Sequence, residues 1–201
     1  MKLYDISQEV FSCAVYPGDP TPKPEALCRM EQGDLYNLTA FRMCAHNGTH
    51  LDAPFHFFRD GKTIEQISLE ACIGPCFVAK HTGEVRETEA AAILTLAAQA
   101  HPDAIRRILF KGDSVITEPA ARIFADANVL LLGVESQSVG PENAPMAVHK
   151  ILLGNNTVLL EGLRLAEVPE GVYLLSAAPL NLGGCDGAPC RAVLIELPTS
   201  L

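Results

Sequence analysis

The chain of 201 residues contains no tryptophan, and all aromatic residues together make up only 6% of it. Basic residues are also few, because 15 lysines and arginines stand against 24 acidic residues and leave a formal net charge of −9. Only Arg106 and Arg107 place two basic side chains next to each other. A nucleic-acid-binding surface needs a basic stripe that displaces the counterions of the phosphates. The composition therefore excludes nucleic acid as a partner and suits a protein that acts on a small molecule.

Long apolar runs are missing as well. No apolar segment approaches the roughly 18 residues that a membrane span requires. Asp5 and Glu9 interrupt the apolar residues that follow Lys2, so the N-terminal segment lacks the core of a secretory signal. We therefore expect a cytoplasmic protein with no membrane partner.

Cysteine pairs with the spacing of a metal site are absent too. The seven cysteines occupy positions 13, 28, 44, 72, 76, 185 and 190, and their number is odd. Cys72 and Cys76 are separated by three residues instead of two, and no second pair completes a tetrahedral thiolate site. Because thiols stay reduced in the cytosol, we expect free cysteines and no disulfide framework.

The hydrophobic pattern predicts a single α/β domain over residues 1–201. Hydrophobic residues make up 48% of the chain and charged residues 19%, which is ordinary for a globular protein. Apolar runs predict strands at residues 3–6, 38–44, 108–111, 129–133, 157–161, 172–176 and 192–197. Helices are predicted at residues 89–99, at 118–125 with Thr117 as N-cap, and at 145–153 with Gly154 as the C′ residue. Strands that alternate with helices indicate a mixed β-sheet.

Three of the six histidines lie together in residues 46–57, which read His-Asn-Gly-Thr-His-Leu-Asp-Ala-Pro-Phe-His-Phe. His50 and Asp52 are two positions apart, so an extended backbone directs both side chains to one face. Gly48 permits a tight turn that would fold His46 back beside His50. The spacing thus predicts that two imidazoles and a carboxylate meet.

Imidazole and carboxylate ligands suit Zn²⁺ or Mn²⁺. The segment contains no cysteine, and sites built from histidine and carboxylate commonly keep one coordination position for water. The alternative is a polar loop in which the histidines only cap and hydrogen-bond the backbone. The density of the cluster favours a catalytic metal site over that alternative.

The segment 46–57 resembles the signature of the cyclase family, which includes bacterial kynurenine formamidases, and every defining position is filled. Four further blocks resemble family segments in the same order along the chain. These are residues 16–19 (Tyr-Pro-Gly-Asp), 133–139 (Gly-Val-Glu-Ser-Gln-Ser-Val), 149–161 (from His149 to Glu161) and 186–192 (Asp-Gly-Ala-Pro-Cys-Arg-Ala). The resemblance therefore extends over nearly the whole chain. It implies a compact β/β/α domain, either barrel-like or of the swivelling type.

The resemblance implies a site for two divalent metal ions, with zinc as the expected metal and manganese as the alternative. His46 and His50 would bind the first ion, and Asp52 would bridge both. His149 would bind the second ion, and Glu161 would touch both. The residue pattern alone does not single out His149 or Glu161, because a histidine in a short helix and a glutamate ending a strand are usually structural.

The resemblance also implies that His56 is the acid/base of the reaction. A neutral imidazole can take a proton from a nearby water and return it to a leaving group. Three acidic residues in the matched blocks are expected to support turns or neighbouring side chains, namely Asp19, Glu135 and Asp186. Tyr16 would present an aromatic face to the substrate.

Two positions depart from the family pattern. Tyr16 stands where the formamidases typically carry Trp, so the aromatic face is smaller and gains a hydroxyl group. Gly162 follows Glu161 where relatives usually have Asn, which removes one expected hydrogen bond near the site. Neither change affects a predicted ligand, so both bear on the substrate more than on the metal chemistry.

The implied function is hydrolysis of an amide by metal-bound hydroxide, with His56 protonating the departing nitrogen. The expected substrate is N-formylkynurenine or a related N-formyl arylamine, and with N-formylkynurenine the reaction would yield formate and kynurenine in tryptophan breakdown. One alternative is a hydrolase of the same family that opens a cyclic amide or another small amide. A second alternative is a non-catalytic metal-binding protein. The resemblance further implies a homo-oligomer, either a dimer or a tetramer.

Overall fold

A mixed sheet of nine strands organises the computed structural model, which describes residues 1–141 and 143–197. Thirteen strands occur in the described residues: β1 Leu3–Asp5, β2 Lys23–Cys28, β3 Leu38–Arg42, β4 His50–Asp52, β5 Ile73–Lys80, β6 Gly83–Val85, β7 Arg107–Lys111, β8 Ser114–Ile116, β9 Leu131–Val134, β10 Val158–Glu161, β11 Gly171–Ser176, β12 Gly187–Pro189 and β13 Val193–Glu196. The α-helices of the same residues are α1 Leu69–Cys72, α2 Glu87–Ala100, α3 Glu118–Asp126 and α4 Pro145–Gly154. The end of the expected domain, residues 198–201, lies outside the described residues.

The large sheet has the strand order β1-β13-β11-β5-β7-β9-β10-β4-β12. Its centre is parallel, because β5, β7, β9 and β10 pair side by side in the same direction. Helices α2, α3 and α4 occur in the three connections between these strands. The flanking strands β11 and β4 pair with this centre in antiparallel fashion. The predicted α/β fold with a mixed sheet is thus confirmed.

The central strands are buried on both faces, as expected where helices cover a parallel sheet. Successive residues point to opposite sides: Ile108 and Phe110 join the core against the helices, whereas Leu109 joins the core on the other face. Leu159 and Leu160 alternate between the two cores in the same way. The strands therefore read as continuous apolar runs, which is why the sequence pattern identified them.

The predicted helices are all present, with one wrong terminus. Thr117 caps α3 as predicted, and its side chain accepts a hydrogen bond from the backbone N–H of Ala120. Gly154 was predicted as the C′ residue of α4, but it lies inside the helix. The left-handed backbone conformation belongs to Asn156, with φ of 59°. A side chain at position 154 would press against the Phe58 ring, so packing accounts for this glycine instead of helix termination.

The seven predicted strands are found with their ends shifted by up to two residues. Several strands were not predicted, and β5 is the longest of them, with eight residues. Gly74 and Pro75 near its start resemble turn residues, yet Pro75 pairs with Leu174 of β11 and lies before the first residue paired with β7. Its missing N–H therefore costs no hydrogen bond to β7.

The strand predicted at 38–44 ends at Arg42, before the histidine segment. It pairs only with β2, in a two-stranded ribbon apart from the large sheet. Within the described part of the chain, no helix is long and apolar enough to cross a membrane.

Candidate metal and active site

Strand β4 contains the centre of the histidine segment and lies between strands β10 and β12 in the sheet. His50 lies opposite Glu161 of β10, and Asp52 lies opposite Gly187 of β12. Leu51 between them is fully buried in the hydrophobic core, so His50 and Asp52 share the other face of the strand. Their side chains meet with His50 Nε2 3.5 Å from Asp52 Oδ1. The expectation that an extended segment brings this pair together is confirmed.

A tight turn returns His46 to the same place. Gly48 has a φ of 70°, a left-handed conformation that glycine adopts at little cost. Asn47 stabilises the turn, because its side-chain oxygen accepts the backbone N–H of Cys44 at 2.8 Å. The rings of His46 and His50 then lie 5.1 Å apart, edge to face. The turn predicted at Gly48 is therefore present.

His149 and Glu161 reach the site from the other side. His149 lies in the second turn of α4, and Glu161 is the last residue of β10. His149 Nε2 is 3.3 Å from Glu161 Oε1 and 3.7 Å from Asp52 Oδ2. The other oxygen of Glu161, Oε2, lies 3.5 Å from His50 Nε2. Each carboxylate thus turns one oxygen towards His50 and the other towards His149.

The separations of 3.3–3.7 Å between the two histidines His50 and His149 and the two carboxylates suit ligands around small cations, whereas His46 Nδ1 lies at hydrogen-bond distance, 2.8 Å, from Asp52 Oδ1. Ligands bound to tetrahedral Zn²⁺ at about 2.0–2.1 Å lie about 3.3–3.4 Å from one another, longer than a hydrogen bond between them. Three groups of residues have donor atoms that all lie within 4.8 Å of one another. One contains His46, His50 and Asp52, a second contains Asp52, His149 and Glu161, and a third contains His46, His56 and Asp186 at the mouth. Asp52 is shared by the first two groups, which are the more deeply buried.

Backbone carbonyls fix how two of the histidines face the site. His50 Nδ1 donates to the carbonyl oxygen of Gly48 at 3.0 Å, and His149 Nδ1 donates to that of Pro145 at 2.8 Å. Because a carbonyl oxygen can only accept, Nδ1 carries the proton in each ring. In the neutral imidazole the lone pair therefore lies on Nε2, which points at Asp52 and Glu161.

The buried carboxylates of the site require positive charge beside them. Asp52 is 1% exposed and Glu161 is 3% exposed. An ionised carboxylate without a partner is very costly in such surroundings. Burial lowers the pKa of His50, but its contacts with Asp52 and Glu161 outweigh burial and raise that pKa well above the usual value. Burial also lowers the pKa of His149, but its contact with Glu161 outweighs burial and raises that pKa. Protons or metal ions can satisfy this requirement.

His56 lies at the mouth of the cluster. It ends a short 3₁₀ helix, Pro54–His56, which begins directly after β4 and its neighbour Ala53. Its ring is 4.2 Å from the ring of His46, and its side chain is 28% exposed. His56 Nδ1 lies 2.9 Å from Asp186 Oδ2. His56 thus stands beside the metal-ligand candidates while remaining open to solvent.

Asp186 has closer contacts with the site than a turn residue would have. The same Oδ2 atom that meets His56 also lies 2.8 Å from His46 Nε2. Hydrogen bonds from His46 and then from His56 hold the pKa of the Asp186 carboxyl well below its usual range. Glu135, in contrast, accepts the backbone N–H groups of Gly112 and Leu165, each at 2.7 Å, and supports the loops.

A cavity of about 220 Å³ opens onto the cluster. Tyr16, the residue expected to contact the substrate, contributes to its wall, and so does Asp19. A turn holds both residues, because the backbone N–H of Asp19 donates to the carbonyl of Tyr16 at 3.0 Å. Residues that the sequence did not associate with the site complete the wall: Phe57, Gln137, Ser138 and Pro145.

Gly162 replaces the asparagine of relatives without leaving the position empty. Its φ of 71° is left-handed, and an added Cβ would meet the Gly48 carbonyl and the side-chain amides of Gln8 and Gln137. Gln8 Nε2 donates to the carbonyl of Gly162 at 2.9 Å, and Thr49 Oγ1 donates to it at 2.7 Å. Both bonds hold the backbone carbonyl of Gly162, so the loss of the asparagine side chain's hydrogen bond stays an expectation.

Comparisons with known proteins agree with this arrangement. A family model described as "Putative cyclase" matches residues 4–141. A kynurenine formamidase from Erythrobacter litoralis is 34% identical and covers 98% of this chain and 95% of its own length. A solved protein described as a "potential metal-dependent hydrolase with cyclase activity" superimposes with a TM-score of 0.80 at 29% identity, covering 98% of this chain and 99% of that one.

A more distant structure shares the fold. Isatin hydrolase A from Labrenzia aggregata superimposes with a TM-score of 0.79 at 20% identity and covers 96% of this chain and 93% of its own. Identity at this level shows similarity of fold alone. The resemblance drawn from the five sequence blocks is confirmed by the family match and by the relative at 34% identity. The chain belongs to the cyclase family.

Proposed function

We propose that this protein is a metal-dependent amide hydrolase, specifically an arylformamidase that acts on N-formylkynurenine or a related N-formyl arylamine. The coarser activity, hydrolysis of an amide bond, is supported by its kynurenine formamidase relative. The observation that carries the metal dependence is the pair of ligand groups that share Asp52 and lie beside His56.

The donor set fits two divalent cations. His46, His50 and Asp52 would hold one ion, and His149 with Asp52 and Glu161 would hold the other. Zinc is the expected metal because the ligands are nitrogen and carboxylate oxygen, and manganese is the alternative. When bound, such ions polarise a carbonyl oxygen and lower the pKa of a bound water towards about 7.

The residues around the donor set have separate tasks. His56 holds a proton on Nδ1 against Asp186, which leaves Nε2 to accept a proton and later deliver it to the departing amine. Tyr16 and Phe57 offer aromatic faces on the cavity wall, on which a planar aryl group can stack. An aryl amine leaves more easily than an alkyl amine, so one imidazole of modest acidity suffices for its protonation.

A hydrolase of a cyclic amide is the second candidate. The observation in its favour is Tyr16, which gives a smaller aromatic face than the tryptophan typical of the formamidases. A non-catalytic metal-binding protein is disfavoured, because such a protein has no use for His56 at the mouth of the site. Substrate comparison therefore decides between the two hydrolases.

We further propose that the protein is a homo-oligomer, a dimer or a tetramer, and that the ribbon of β2 and β3 forms the contact with a second copy. Two-stranded ribbons are only marginally stable alone. This ribbon and its connecting loop nevertheless expose large apolar side chains, with Leu35 92% exposed and Phe41 58% exposed. Exposed apolar side chains grouped on one ribbon are typical of interaction sites. Light scattering should find an oligomer that Leu35→Glu weakens and that Leu96→Glu, an exposed site on α2, leaves intact.

The thiols agree with the cytoplasmic location that we propose. All seven cysteines are free, and burial raises the pKa of both Cys72 and Cys76 to about 12. Thiols of this kind are inert packing residues and need no oxidising compartment. Fractionation of cells that produce the protein tests the location.

The direct test of function is formate release from N-formylkynurenine, measured with apoprotein and after addition of Zn²⁺ or Mn²⁺. A small N-formyl alkylamine and a cyclic aryl amide serve as comparison substrates. We expect metal-dependent turnover that is fastest on the N-formyl arylamine. Fastest turnover of the cyclic amide would favour the second candidate, and metal binding without turnover of any amide would favour the non-catalytic protein.

A further inference from the structure

One oxygen of Asp186 meets two histidines that have different tasks. Asp186 Oδ2 lies 2.8 Å from His46 Nε2 and 2.9 Å from His56 Nδ1. Both rings line the cavity, but only His46 also belongs to the ligand group with His50 and Asp52. The Asp186 side chain itself is 40% exposed, so contacts with the two rings, and not burial, define its place.

The backbone delivers this carboxylate to the rings. Asp186 directly precedes β12, and its carbonyl oxygen accepts the backbone N–H of Ala53 at 2.9 Å. The next residue must be small, because a Cβ at Gly187 would lie 2.8 Å from Cε1 of His46. The sequence Asp-Gly therefore serves two needs: it supplies the carboxylate and makes room for the ring that the carboxylate contacts.

The contacts determine which ring nitrogen is available in each histidine. His46 Nδ1 lies 2.8 Å from Asp52 Oδ1, on the side of the first ligand group. A cation there requires Nδ1 without a proton, so the proton of His46 must reside on Nε2, where Asp186 accepts it. The contact of His56 Nδ1 with Asp186 likewise leaves Nε2 of that ring free for substrate chemistry.

We propose that Asp186 is a positioning residue that orients both histidines through a single oxygen atom, directing His46 Nδ1 towards the first cation and His56 Nε2 towards the substrate. The inference rests on the proposed function, because it assigns Asp186 a task at the same site. Asp186 would act through the two rings and not as a ligand itself, although its carboxylate also lies in a donor group with His46 and His56. It couples the metal-binding half of the site to the proton-transfer half.

The first half of the inference, that Asp186 orients His46, can be tested by metal affinity without any substrate. Wild-type apoprotein and Asp186→Asn are titrated with Zn²⁺ in competition with a chromogenic chelator. We expect Asp186→Asn to weaken the binding of one of two Zn²⁺ ions by about 10- to 100-fold, the usual effect of removing an outer carboxylate from a histidine ligand. Asp60→Asn, an exposed carboxylate outside the site, is the matched control and should bind Zn²⁺ like the wild type.

The second half of the inference, that Asp186 orients His56, can be tested by a double-mutant cycle. At saturating Zn²⁺, Asp186→Asn should lower kcat by about 10-fold or more with little change in KM. In a His56→Ala background the same substitution should leave kcat within about twofold, because Asp186 acts on the reaction through His56. The weaker Zn²⁺ binding should persist in that background, because it arises from His46.

Two results would overturn the inference. Unchanged Zn²⁺ affinity in Asp186→Asn would overturn the His46 half, and a full further loss of kcat in the His56→Ala background would overturn the His56 half. Thermal melting of each variant shows whether it is folded, and Asp186→Ser provides a second neutral replacement if the asparagine variant is not. A wild-type protein that binds Zn²⁺ but hydrolyses no amide would contradict the proposed function, and the titration would still decide the His46 half.

Discussion

At the scale of the residue, His50 and His149 show how a hydrogen bond to a backbone carbonyl orients an imidazole ring. Each ring donates Nδ1–H to a carbonyl oxygen, so Nε2 of each is aimed at the same pair of buried carboxylates. His56 lacks such a carbonyl partner and contacts Asp186 instead, at the open side of the site. The three histidines should therefore respond differently to substitution.

Replacement of His56 by alanine should separate turnover from metal binding. We expect His56→Ala to keep its metal and to lose about 10²-fold or more in kcat, the usual scale for an acid/base group. His50→Ala, the comparison variant, should lose both metal and activity because its ring is fully buried among the ligands. Metal analysis and formate release on the same samples measure both. A metal-free His56→Ala protein would make His56 a ligand and move the acid/base role to another residue.

The aromatic residue at position 16 should affect substrate binding alone. Tyr16→Ala should raise KM for an N-formyl arylamine several-fold, since stacking on an aromatic face contributes about 1 kcal/mol. Metal content should not change, because Tyr16 is no ligand candidate. Tyr16→Trp should maintain or improve turnover of N-formylkynurenine. Poorer turnover by Tyr16→Trp, together with good wild-type activity on a cyclic amide, would support the second candidate.

At the scale of the element, the sequence predicted those features that depend on local pattern. Apolar runs located the central strands, and Thr117 and Pro145 located the starts of α3 and α4. The short strand β12 was missed, because three residues of Gly-Ala-Pro become a strand only by pairing with β4. Asp186 was expected to support a turn or neighbouring side chains, but its two partners could not be named, because the contacts join segments 130 and 140 positions apart.

The site was predicted in two ways. The spacing of His46, His50 and Asp52 follows from a turn and an extended strand, so the residues alone indicated their meeting. His149 and Glu161 come from a helix and a strand that meet the motif only in the folded protein, and only family resemblance identified them. Gln137 and Ser138 lie in the matched block 133–139, but the sequence assigned them no role in the cavity wall.

The turn at the end of β10 should not tolerate alanine in this chain, because Gly48, Gln8 and Gln137 occupy the space of a side chain at position 162. Gly162→Ala should lower the free energy of unfolding by more than about 1 kcal/mol, because position 162 has positive φ and its Cβ would clash with the Gly48 carbonyl. Zn²⁺ affinity should fall as well, since Glu161 is the neighbouring residue. Gly183→Ala is the control, because nothing lies within 4 Å of a Cβ there. Urea denaturation measures the difference, and equal stability of the two variants would show that β10 adjusts freely.

At the scale of the whole molecule, the parallel centre of the sheet is a rigid support, and the site lies where β10, β4 and β12 adjoin. The proposed ligands come from a turn, two strands and a helix that are far apart in the chain. Stability of the fold and occupancy of the site should therefore be linked.

The pH dependence of stability should reveal this link. Burial lowers the pKa of His46, but Asp186 and Asp52 outweigh it and raise that pKa to about 9. A raised pKa gives stability that is fully present below about 6.5, the value in the unfolded chain, and that is lost as pH rises through the folded value. The melting temperature of chelator-treated protein should thus fall between pH 6.5 and 9. The melting temperature of Zn²⁺-loaded protein should fall less, because the bound metal supplies the positive charge that protonated histidine supplies in the metal-free protein. If the melting temperature depended on pH in the same way with and without Zn²⁺, fold stability and site occupancy would not be linked.

The central claim is that one compact site holds two cations around Asp52, and the metal content of the saturated protein tests it most directly. Elemental analysis of protein loaded with Zn²⁺ or Mn²⁺ and freed of excess metal should give two ions per chain. Chelation should abolish amide hydrolysis, and the same metal should restore it. His149→Ala should retain a single ion. A wild-type content of one ion or none per chain would contradict the account and leave His149 and Glu161 with structural roles.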